Sequence, residues 1–111
     1  MHMILNVVVE DQTYPITVPD EIIPEAEDFF MKLDKDMDKG WQMSRDWVDL
    51  PNQEQRCQII GDKMLTAMHK DNAKMMVLLS AYVLARVPGI TGIRIDTNGE
   101  MLETELVIGP G

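Results

Sequence analysis

What this chain has little of sets its first limits. It carries a single cysteine, Cys57. No internal disulfide can form, and a reducing, cytoplasmic setting is expected. Positive charge is scarce: ten Lys and Arg stand against nineteen Asp and Glu, a net charge of −9. Nucleic acids and anionic membranes attract basic surfaces, so this balance argues against both as partners. No apolar run approaches the roughly 20 residues that a bilayer core requires. Residues 1–9 lack the basic start of a secretion signal and pass directly into an alternating pattern, so no leader is expected. Chemical motifs are missing too. There is no His-Glu-x-x-His pair, no phosphate-cradling glycine loop, and no glycine frame around Ser44 or Ser80 that would expose a nucleophile. No catalytic residue, cofactor or metal ligand is therefore assigned, and an enzyme ranks last among the readings.

What is there suits one α+β domain over residues 1–111. A chain of this length with 45% hydrophobic and 26% charged residues can bury one core unaided. Its organising stretch lies between Lys74 and Arg86, where ten of eleven positions are hydrophobic. A helix that is apolar on every face must be buried on most sides. Residues 74–86 thus predict a central helix, capped by Asp71-Asn72 and stopped by Pro88-Gly89.

The flanking segments follow period two. Residues 3–18 predict a hairpin. With Asp11-Gln12 as its turn, Val9 faces Tyr14, Val7 faces Ile16 and Leu5 faces Val18. Pro15 cannot donate to a ladder, which puts the second strand at a sheet edge. Near the other end, Asn98-Gly99 is the strongest two-residue turn signal. It pairs Ile95 with Leu102, Ile93 with Thr104, Thr91 with Leu106, and Arg94 with Glu103. The two hairpins are expected to join as one four-stranded antiparallel sheet with three or four helices on one side, a two-layer fold. The tail Gly109-Pro110-Gly111 is expected to be loose.

Between the hairpins the period is helical. Pro24 fits a first helical turn, and Ile23, Ala26, Phe30, Leu33 and Met37 form an inward stripe. Gly40 either ends this helix or kinks it, and residues 41–48 either leave it or continue it for two turns. Asn52 and Gln55 form a capping box for the next helix. Its stripe is Cys57, Ile60, Met64 and Met68, and Gly61 on the same side would admit a neighbouring helix.

Several groups invite chemistry, and each has a plainer explanation. Asp34, Asp36, Asp38 and Gly40 suggest a calcium loop, but the loop pattern then requires Gly at Lys39 and Glu at Arg45. Met64, Met68, Met75, Met76 and His69 suggest Cu(I), but methionine on an inward stripe is ordinary gap filling. Cys57 shares its stripe with Ile60 and Met64, which favours a buried structural thiol over a nucleophile. The strongest surface candidates are Trp41, Arg45, Trp47 and Arg56, because Trp and Arg are enriched where proteins bind partners or anions. The plain alternative is one tryptophan in the core and Arg45 paired with Asp49.

The leading reading is a non-catalytic protein-interaction or assembly module, with a homodimer formed mainly through helices. The alternative is a small-molecule or soft-metal binding protein with a Met-lined pocket between helices and sheet.

Overall fold

The apolar run at residues 74–86 forms the helix α4 (Ala73–Arg86). The Met75 N–H donates to Asn72 Oδ1 at its start, and Pro88 follows its C-cap Val87. Leu79, Tyr82 and Val83 along it are almost wholly buried. The computed structural model describes residues 1–109, so Pro110 and Gly111 of the expected loose tail lie outside it. Gly109 itself is tied down, donating its N–H to the Gly89 carbonyl at 3.0 Å.

The sheet has four strands in the order β2-β1-β5-β6: β1 (His2–Val9), β2 (Gln12–Pro19), β5 (Ile90–Ile95) and β6 (Glu105–Ile108). The expected four-stranded sheet is present, but it is mixed. β1 runs antiparallel to β2 and parallel to β5. Alternation along a strand fixes its faces and is silent on the direction of its neighbour, so local pattern could not reveal the parallel join. Gly92 lies at that join. A Cβ there would meet the Asn6 carbonyl at 2.9 Å, so the two strands approach over a bare backbone.

Both hairpin registers differ from expectation by two residues. The first turns at Glu10-Asp11, so Val7 pairs with Tyr14 and Leu5 with Ile16. Glu10 takes the left-handed backbone that a tight turn needs (φ 56°). In the second, Ile93 pairs with Leu106 and Arg94 with Glu105, and Asn98-Gly99 sits inside a longer connection. Local and long-range bonds together draw residues 96–104 out of the ladder. Asp96 accepts the N–H groups of Asn98 and Glu100, and Gln58 Nε2 donates to the Leu102 and Thr104 carbonyls. Residues 101–103 coil into a 3-10 turn. A shift of two keeps the side chains that remain paired, such as Leu5, Val7, Ile93 and Leu106, on their expected face, so the two-layer arrangement survives. Leu102 leaves the ladder for the 3-10 turn, where it is exposed, and a bulge slips the register between Ile90 and Gly92.

The helices cover one face of the sheet. After a single turn, α1 (Ile22–Glu25), the chain restarts as α2 (Glu27–Met37), which buries Phe30, Leu33 and Met37. Helix α3 (Gln53–His69) carries the expected box: Asn52 and Gln55 each accept the other's backbone N–H. Gly61 admits the sheet instead of a helix. A Cβ there would touch Thr104 at 3.3 Å and Ile93 at 3.4 Å. Gly40 ends α2 in a left-handed conformation (φ 94°). Residues 41–48 then leave the helix as a small hairpin, β3 (Trp41–Met43) and β4 (Asp46–Val48), turning on Ser44-Arg45.

Candidate binding groove

A groove of about 520 Å³ opens on the helical side of the molecule. Helix α2 supplies one wall with Phe29, Lys32, Leu33 and Asp36. Helix α3 supplies the other with Asp62, Lys63, Thr66 and Ala67, and Lys70 follows at its C-cap. Trp41 closes one side, and Met75 and Leu79 of α4 complete the lining. Its volume lies within the roughly 300–1,000 Å³ of ordinary ligand sites.

The chemistry of this surface is two-part. Leu33, Ala67 and Leu79 are buried and form an apolar floor, with half-buried Phe29, Trp41 and Met75 beside them. Lys32, Lys63 and Lys70 stand around it. Among the described residues, every ion pair uses arginine and none uses lysine. Lys63 Nζ lies 4.8 Å from the centre of the Trp41 ring, which extends the cation over the floor. Asp36 and Asp62 also line the groove, leaving three cations against two carboxylates there.

A polar node on α2 holds that wall in place. Asp34 receives the Tyr82 hydroxyl at 2.5 Å, Arg86 Nε at 3.1 Å and Arg56 Nη1 at 3.2 Å. Arg56 also donates to Asp38 at 2.6 Å and to the Pro51 carbonyl, while Arg86 reaches Glu27. Burial works against the Asp34 carboxylate, but these donors outweigh it and hold its pKa below the ordinary 3.8. Burial, reinforced by the Asp34 carboxylate that accepts its proton, pushes the Tyr82 hydroxyl up.

The four surface candidates separate. Trp41 is half-buried against the core and lines the groove. Trp47 lies on the opposite face of the small hairpin, 57% exposed, with its Nε1–H donated to Asp49 at 2.7 Å. Arg45 faces Glu100 at 3.6 Å instead of the suggested Asp49. Arg56 directs its donors inward, to Asp34, Asp38 and Pro51. Cys57 is fully buried, and burial pushes its thiol up to about 12, which leaves it protonated and inert near neutrality. Among the described residues, no group of three or more His, Cys, Asp or Glu side chains is arranged to hold a metal ion, and no helix is long and apolar enough to cross a membrane.

The lysines of the groove escaped the sequence reading. One signal was available: all six lysines of the chain fall between positions 32 and 74. Lys63 and Lys70, seven apart, also share a helix face. No family model matches this chain, and neither a curated protein nor a solved structure matches it.

Proposed function

We propose that this protein is a non-catalytic interaction module that receives a partner segment in the groove between α2 and α3. The observation that carries this reading is the pairing of an apolar floor with three lysines that have no carboxylate partner among the described residues. Apolar burial supplies affinity at such a surface and charge supplies selection. The expected helix-mediated homodimer would use this same side of the molecule.

The reading is tested by selecting from a displayed library of random peptides about 16 residues long, roughly four helical turns. Thr66 is exposed at the groove, so Thr66→Trp fills the opening without disturbing the core. Enriched peptides that bind the parent protein and not the Thr66→Trp variant are the expected result. Absence of enrichment, or peptides indifferent to Thr66→Trp, would remove the groove as the working surface.

A second reading, small-molecule binding, has a surface of its own. A cleft of about 570 Å³ lies between β2 and the turn joining α3 to α4, lined by Met68, Met76, Tyr14 and Ile16 among others. Native mass spectrometry of the purified protein separates the two readings. A retained small ligand that Met76→Gln displaces would favour the cleft.

A further inference from the structure

We infer that the groove's occupant is an acidic amphipathic helix belonging to a partner protein, a step that rests on the reading of the groove as a binding surface. Two features of the rim select this class. First, the cations are extended along a line. Lys63 on α3 and Lys70 at its C-cap are seven positions apart, which at the helical rise is about 10 Å along the axis. Lys32 stands on the opposite wall. A single carboxylate headgroup on an acyl chain can meet one of these cations at a time. A helix with acidic residues seven apart repeats the same 10 Å rise and can meet Lys63 and Lys70 together.

Second, the floor is apolar between two helical walls. Half-buried Phe29, Trp41 and Met75 present apolar surface there over the buried Leu33, Ala67 and Leu79, which suits apolar anchors at helical spacing on the incoming segment. The combination of floor and rim asks for one apolar face flanked by acidic positions.

The charge of the whole chain points the other way, and distance decides between the two. At −9 the protein attracts basic partners through its long-range field. That field is screened over about 8 Å at physiological salt. The groove itself is lined by Lys32, Lys63 and Lys70 against Asp36 and Asp62, three cations to two carboxylates, and the lysines have no ion-pair partner among the described residues. Close contact therefore selects acid, although the approach is not steered.

The test uses the full chain and the peptides enriched by the selection above. Lys63→Glu/Lys70→Glu changes the rim, and Lys35→Glu/Lys39→Glu changes net charge equally at residues that do not line the groove. Enriched peptides are expected to carry net negative charge with apolar residues at spacings of three and four. Their affinity should fall at least about tenfold with the rim variant and change little with the control. Peptides that are neutral or basic, yet still blocked by Thr66→Trp, would overturn the acidic class while leaving the groove as a binding surface. Equal losses from both double variants would also overturn it, since general repulsion would then explain the effect. A homodimer in sedimentation equilibrium that Lys63→Glu/Lys70→Glu dissociates would assign the groove to a second copy of the chain and overturn the separate partner.

Discussion

Tyr82 donates its hydroxyl to Asp34 across 2.5 Å, joining the buried middle of α4 to α2. The same carboxylate holds Arg56 of α3 and Arg86 of α4, so one side chain ties three helices together. Tyr82→Phe should cost about 1–2 kcal/mol, the typical loss when a partly buried acceptor forfeits a donor. Asp34→Asn should cost more, about 2–3 kcal/mol, because Arg56 and Arg86 each lose one of two carboxylate partners, keeping Asp38 and Glu27. Urea denaturation measures both. A smaller loss for Asp34→Asn than for Tyr82→Phe would place the node's stability in the tyrosine alone.

Asp34 also sets the acid limb of stability. Its folded pKa lies below the unfolded value, so its contribution is present above about pH 4 and is lost as pH falls through the folded pKa. Melting temperatures followed from pH 6 to pH 2 should fall less steeply for Asp34→Asn than for the parent below about pH 4. Identical slopes would mean that other carboxylates govern acid unfolding.

Cys57 makes the mirror-image prediction. Its folded pKa is raised from 9.0 to about 12, so stability falls as pH climbs from the first value toward the second. Tyr82 acts in the same direction above its ordinary 10.0. In native buffer at neutral pH, Cys57 should react with a thiol reagent orders of magnitude more slowly than after unfolding. Rapid native labelling would show that the thiol reaches solvent.

Core burial along α4 predicts that Leu79→Ala costs about 2–5 kcal/mol, the range for a leucine truncated in a packed interior. Leu79 is 1% exposed. A loss under about 1 kcal/mol in denaturant would contradict the central place of this helix.

The open edge of β2 is guarded twice. Asp20 donates its N–H to the Met1 carbonyl, which fixes the ladder's alternation. In that alternation Thr13, Pro15, Thr17 and Pro19 turn their backbone groups outward. Both prolines thus fall where a missing N–H interrupts pairing with another chain. Replacing both with threonine should increase light scattering on warming while leaving the monomer folded. Unchanged scattering would show that the edge is protected by something else.

Much of the frame was legible in the residues. Asn52 with Gln55, the apolar run at residues 74–86 and the stripes through Phe30 and Cys57 are local patterns, and local bonding honours them. The parallel join of β1 to β5 was not legible, because strand direction depends on where the helices return the chain. The Asn98-Gly99 turn was overruled by partners distant in sequence, Gln58 at Leu102 and Ser44 at Met101. Of the surface candidates, only Trp41 reached the groove. The lysines around it became a group only when α2 and α3 were brought side by side.

The groove is tested most directly by NMR, titrating labelled protein with an enriched acidic peptide and following the side chains themselves. Shifts should concentrate at the Lys63 and Lys70 ammonium-bearing methylenes, the Trp41 indole N–H and the Leu79 methyls. Shifts confined to the open face of the sheet, at Ile4 and Val107, with none along α3, would contradict a partner site between α2 and α3.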